Sequence, residues 1–91
     1  MNVLAVDDQI NVLNGLMVGV QWKKLGIDQV YKAGNAAEAK RILRACTVDI
    51  LLSDIEMPGE SGLQLLEWVR NEQMDIACIF LPAHAKSTIV G

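Results

Sequence analysis

The chain has 91 residues, enough for one small domain, and 52% of them are apolar, which excludes a disordered segment. Its formal charge is −3, and its eight Lys and Arg form no cluster, which argues against nucleic-acid contact by this segment. No apolar run approaches the roughly 20 residues of a membrane span, and Asp7-Asp8 interrupts the apolar N-terminus, so no span and no signal peptide is read. A cytoplasmic location is the expectation. Cys46 and Cys78 lie in apolar contexts without close partners and read as reduced core thiols rather than metal ligands.

In chain order, Asn2 to Val6 is a short β-prone run that ends at Asp7-Asp8. From Ile10 to Lys24 the apolar positions Val12, Leu13, Leu16, Met17 and Val20 fall at helical spacing. Gly15 and Gly19 weaken this helix, and Gly26 is its stop. Gln29 to Ala33 reads as a second strand. Asn35 with Glu38 three residues on is a cap-and-acid pattern, and Ala36, Ala39, Ile42, Leu43 and Cys46 stripe a second helix. Asp49 to Ser53 is a third strand, apolar enough to be buried on both faces. Pro58-Gly59 forces a turn, and Ser61 with Gln64 is a capping box for a third helix over Gly62 to Asn71. Leu63, Leu66 and Val69 are expected on its inner side. Ile76 to Leu81 is an unbroken apolar run, expected to be a buried fourth strand, and a further helix could start after Pro82.

The order β-α-β-α-β-α-β with short connections specifies an α/β domain: parallel strands, right-handed crossovers and helices on both faces. If the first and third strands are neighbours, as in the flavodoxin-like order, then Asp7, Asp8 and Asp54 meet at one sheet edge, because adjacent strands are only about 4.8 Å apart. Two carboxylates at about 5 Å repel by roughly 3 kcal/mol at an effective dielectric near 20. A hard divalent ion relieves that repulsion. Mg²⁺ takes one or two carboxylates, keeps several waters and accepts phosphate oxygens. A carboxylate screened in this way can take a phosphoryl group as an aspartyl phosphate. The competing reading, that Asp7-Asp8 merely caps the first helix, is the better one for that pair alone. Joint placement of acids on two neighbouring strands reverses the preference.

At these residues the chain resembles the receiver domain of two-component response regulators, the CheY-like family. The resemblance rests on Val-Asp7-Asp8-Gln, Leu-Leu-Ser-Asp54-Ile-Glu-Met57-Pro58-Gly59, Gly62-Leu and Ile-Phe-Leu-Pro-Ala83-His84, and runs from Met1 to about Ala85. It implies a doubly wound parallel sheet in the order 2-1-3-4, with residues 1–91 forming a receiver domain that stops before the family's final strand and helix. It implies that Asp54 accepts a phosphoryl group from a sensor histidine kinase or phosphotransfer protein, and that Asp8 and Asp54 ligate Mg²⁺. The backbone carbonyl of Glu56 would be a further ligand, and Asp7 would act mostly through water. Met57 shapes the loop beside the phosphate site, and Glu56 and His84 stand where the family tunes loss of the phosphoryl group. It also implies a signalling module rather than an enzyme, and transcription regulation as the output of a longer parent.

Two departures bear on that expectation. Pro82 stands where the family places Thr or Ser, and proline has neither hydroxyl nor amide hydrogen. The family's lysine at the end of a fifth strand has no counterpart, since Lys86 comes too early. An alternative is therefore an interaction fragment of the same fold that does not signal by phosphate and forms a homodimer through its exposed fourth strand. An aspartate-dependent phosphatase of the haloacid-dehalogenase type fits less well. Such enzymes use Asp-x-Asp after their first strand, whereas here that strand ends in Asp-Asp.

Overall fold

The computed structural model describes residues 1–81; Pro82, Ala83, His84, Lys86 and the helix expected after Pro82 lie outside them. Among the described residues four strands and three α-helices alternate: β1 (Asn2–Val6), α1 (Ile10–Gly19), β2 (Gln29–Ala33), α2 (Ala36–Ala45), β3 (Ile50–Asp54), α3 (Gly62–Asn71) and β4 (Ala77–Leu81). A 3-10 turn at Trp22–Leu25 separates α1 from β2.

The strands form one parallel sheet in the order β2-β1-β3-β4. β1 lies inside it, and four of its five residues are buried. The chain moves from β1 outward to β2, then back across β1 to β3 and on to β4. With right-handed crossovers, that reversal puts α1 on one face and α2 and α3 on the other. The topology thus matches the flavodoxin-like expectation.

Side-chain alternation fills the α2–α3 face. Leu4 and Val6 of β1, Ala33 of β2 and Leu51 of β3 meet Ala36, Ala39 and Leu43 of α2 and Leu65 and Val69 of α3 in one buried cluster. Leu4, Leu51 and Leu65 are almost completely buried. Each such side chain contributes roughly 1.5–3 kcal/mol by leaving water. Val3 and Ala5 alternate to the opposite face, which α1 covers; its buried residues are Val12 and Leu13.

Five expectations need correction. The first helix stops at Gly19, not at Lys24, and Val20 is already extended. Glycine is a poor helix interior residue, and the chain reaches Gly26 through the 3-10 turn, where a φ of 80° suits glycine alone. β3 is shifted one residue onward and takes in Asp54. The inner stripe of α3 is Gly62, Leu65 and Val69, while Leu63 points outward with 55% exposure. β4 is half-exposed rather than buried, and Ile79 is 51% exposed. Among the described residues β4 pairs with β3 alone. The two thiols are free and only partly buried.

Both anticipated caps form. Asn35 Oδ1 accepts from the Glu38 amide at 2.8 Å. Ser61 Oγ accepts from the Gln64 amide at 3.2 Å, and the Gln64 side chain accepts from the Ser61 amide at 2.8 Å. No helix among the described residues is long and apolar enough to cross a membrane.

Candidate functional site

The site lies beyond the carboxyl ends of β1 and β3, where the winding of the sheet reverses. Parallel register brings the strand ends level: Val6 pairs with Ser53, so Asp7 and Asp54, the next residues, emerge side by side. Asp7, Asp8 and Asp54 each offer a carboxylate oxygen, and these oxygens lie within 4.8 Å of one another. Asp7 is fully buried, Asp54 is 4% exposed, and Asp8 is open to solvent. The three aspartates singled out in the sequence are therefore brought together.

The buried acids are held by backbone amides. Asp7 Oδ1 accepts from the Gln9 amide at 2.9 Å, and the Asp7 amide donates to the Ala33 carbonyl at 3.1 Å. Gln9, not either aspartate, is the N-cap of α1, and its side chain makes no cap bond. The simple capping reading of Asp7-Asp8 is thus not what the structure shows. Asp54 Oδ1 accepts from the Glu56 amide at 3.4 Å, so the loop folds back over the carboxylate. Glu56 is exposed two residues past Asp54, and Met57 is buried in the core, which ties the loop to the α2–α3 face.

The loop's far end is tied down as well. Gly59 turns it with a φ of 78°. Lys40 of α2 pairs with Glu60, and the same ammonium lies 5.4 Å from the ring centre of Trp68 on α3. Arg44 lies 5.2 Å from that ring. Lys40 is thus a link between α2, α3 and the loop after Asp54.

Two residues that touch Asp54 directly, Ser53 and Gly62, stood in the sequence only as part of the resemblance, with no role of their own. Ser53 is buried, and its hydroxyl donates to the Asp54 carbonyl at 2.9 Å. Gly62 begins α3 directly against the Asp54 peptide, and its amide donates to the Ile55 carbonyl at 2.8 Å. The signal available was a glycine at the first helical position, where alanine is the better helix former.

Three oxygen acids within 4.8 Å, two of them buried, form a hard-donor cluster able to hold a cation that favours oxygen. His84, Ala83 and Pro82 of the expected phosphate neighbourhood lie outside the described residues.

A family model of the response regulator receiver domain matches residues 3–91. The two-component response regulator ORR24 of rice, Oryza sativa subsp. japonica, is 36% identical over 95 residues, covering 99% of this chain and 14% of that protein. The response regulator UvrY of Escherichia coli O157:H7 is 33% identical over 88 residues, covering 97% of this chain and 40% of that protein. The crystal structure of a two-component transcriptional regulator from Clostridium phytofermentans ISDg superposes with a TM-score of 0.82 at 30% identity, covering 88% of this chain and 64% of that one. The chain thus spans between 14% and 40% of the length of the curated relatives it matches. A non-signalling interaction fragment is not favoured by these matches. The wound parallel sheet, the acidic cluster at its switch point and the match along nearly the whole chain agree: the chain belongs to the response regulator receiver domain family of two-component signalling.

Proposed function

We propose that this domain takes a phosphoryl group on Asp54 from a phosphohistidine of a sensor histidine kinase or phosphotransfer protein, with Mg²⁺ held at Asp8 and Asp54. The observation that carries the reading is the approach of Asp7, Asp8 and Asp54 carboxylate oxygens to within 4.8 Å of one another beside an exposed edge. The donor set is all oxygen and anionic, which fits Mg²⁺. The backbone carbonyl of Glu56 completes the proposed protein ligands, and Asp7 acts through water. When bound, the ion neutralises the approaching anions and orients phosphoryl oxygens.

The chain's own residues do the rest. A carboxylate oxygen of Asp54 attacks phosphorus in line. An O–P bond forms, the P–N bond breaks, and its electron pair returns to the donor imidazole. The Glu56 amide, which donates to Asp54 Oδ1, limits rotation of the carboxylate and favours one attacking oxygen. Burial of Asp54 at 4% exposure limits water near the acyl phosphate and so slows its hydrolysis. Met57, Pro82, Ala83 and His84 are the proposed neighbours of the phosphoryl group. We assign no further enzymatic activity to this domain, and regulation of transcription belongs to the proposed longer parent, as does a cytoplasmic location.

Acetyl phosphate with Mg²⁺, followed by intact mass, tests the reading. The expected result is a gain of one phosphoryl group that Asp54→Ala abolishes. A wild-type protein that gains none, or an Asp54→Ala protein that still gains one, overturns it. Homodimerisation through β4 is a separate proposal, supported by the half-exposed Ile79 and by pairing of β4 with β3 alone among the described residues. A strictly monomeric scattering mass at high concentration removes it.

A further inference from the structure

Gly62 stands at the first position of α3, where alanine would serve the helix better. Its backbone does not need glycine for conformational reasons: the positive-φ glycines among the described residues are Gly26 and Gly59. Space is the reason. A Cβ at Gly62 would run into the Asp54 carbonyl oxygen, and would stand 3.0 Å from the Asp54 carbonyl carbon and 3.0 Å from Ser53 Oγ. No such obstacle exists at Gly19, Gly26 or Gly59, where nothing lies within 4 Å.

The obstacle is backbone, and neither side yields freely. Leu65 and Val69 anchor α3 in the core, and the Ser61–Gln64 capping box fixes its start. β3 is registered against β1 and β4 up to the pairing of Asp54 with Leu81. Two short hydrogen bonds lock the junction: the Gly62 amide to the Ile55 carbonyl, and the Ser53 hydroxyl to the Asp54 carbonyl. Any atom added at Gly62 must therefore be absorbed where strand meets loop, at the Asp54–Ile55 peptide.

We propose that Gly62, with Ser53, is a positioning residue for Asp54: the absent side chain lets the first turn of α3 lie on the Asp54 peptide, and this contact sets where the carboxylate stands relative to Asp7 and Asp8. The inference rests on the reading of Asp54 as phosphoacceptor. Misplacement of a reacting group by about 1 Å can cost on the order of a hundredfold in rate. Neither residue touches phosphorus, so the effect passes entirely through Asp54.

The test compares wild type, Gly62→Ala, Ser53→Ala and Leu65→Ala. Leu65→Ala is the control, because it weakens the same helix from the core side without touching Asp54. Each protein is measured for its rate of phosphoryl gain from acetyl phosphate, its Mg²⁺ affinity by calorimetry and its unfolding midpoint. Gly62→Ala is expected to slow phosphoryl gain by on the order of tenfold or more and to weaken Mg²⁺ binding. Leu65→Ala, corrected for the folded fraction, is expected to keep both within about twofold, whatever its midpoint. Equal rates and affinities in wild type and Gly62→Ala overturn the proposal, as does a matching loss in Leu65→Ala. Should Gly62→Ala fail to fold, Ser53→Ala decides, since it adds no atom: a slower rate supports the proposal and a wild-type rate overturns it. If wild type gains no phosphoryl group, the phosphoacceptor reading fails. The Mg²⁺ affinity then decides the positioning alone, which stands if binding weakens in Gly62→Ala and not in Leu65→Ala, and falls otherwise.

Discussion

Lys40 on α2 holds both carboxylate oxygens of Glu60, at 2.8 and 2.7 Å, and so fastens the loop that follows Asp54 to the neighbouring helix. The pair is partly sheltered, with side chains 23% and 34% exposed, and Trp68 lies under the ammonium. Shelter matters here because a fully solvated pair contributes little. A double-mutant cycle with Lys40→Met and Glu60→Gln is expected to give a coupling of about 0.5–1 kcal/mol in urea unfolding, falling in high salt. A coupling of zero at low salt would mean that the Lys40–Glu60 pair does not fasten the loop.

The phase of α3 makes a sharp contrast between two leucines. Leu65 is fully buried against the sheet, whereas Leu63 is 55% exposed. Leu65→Ala is expected to cost about 2–5 kcal/mol, through lost transfer energy and the cavity left behind. Leu63→Ala should stay within about 0.5 kcal/mol of wild type. Urea midpoints of the two variants check this, and similar losses in both would contradict the stripe of Gly62, Leu65 and Val69.

Burial pushes the Cys78 thiol up from its ordinary value of 9.0, with nearby Arg70 partly opposing. A group whose folded pKa is raised contributes stability that is complete below the unfolded value and is lost as pH climbs through the folded one. The Met1 ammonium is also raised, first by its hydrogen bond to Asp28, and acts in the same direction from its ordinary value of 8.0. The protein is thus expected to lose stability above about pH 8, and Cys78→Ala to lose less of it. Urea midpoints between pH 7 and pH 10 test this, and parallel curves for the two proteins would contradict it.

The helix caps and the acidic cluster were both legible in the sequence, the caps from spacing within one turn and the cluster from where two apolar runs end. Asn35 with Glu38 and Ser61 with Gln64 report their caps within one turn, and Asp7 and Asp54 follow apolar runs whose parallel pairing makes their ends coincide. Where the chain offers two phases, spacing alone does not choose. Leu63, Leu65 and Leu66 are close enough to support either stripe, and only docking on Leu51 and Leu4 selects Leu65. The end of α1 at Gly19 was hidden because the apolar pattern continues through Val20 while the backbone does not. The contact of Lys40 with Glu60 across the fold leaves no local pattern to read, and the approach of Gly62 to Asp54 leaves only the glycine itself at the helix start.

The convergence of three acids has a direct thermodynamic signature. Carboxylates within 4.8 Å repel when no cation lies among them, so in chelator Asp8→Asn should be more stable than wild type by about 1 kcal/mol, discounted for the exposure of Asp8. Added Mg²⁺ should reverse the order, because a ligand that binds only the folded state at about 100 times its Kd adds roughly 2.7 kcal/mol. Thermal unfolding of both proteins across a Mg²⁺ titration is the most direct measurement. The expected result is a crossing, with wild type rising in Tm and overtaking an Asp8→Asn protein that responds weakly. Parallel curves, or a wild-type Tm that ignores Mg²⁺, would contradict a cation site at Asp7, Asp8 and Asp54.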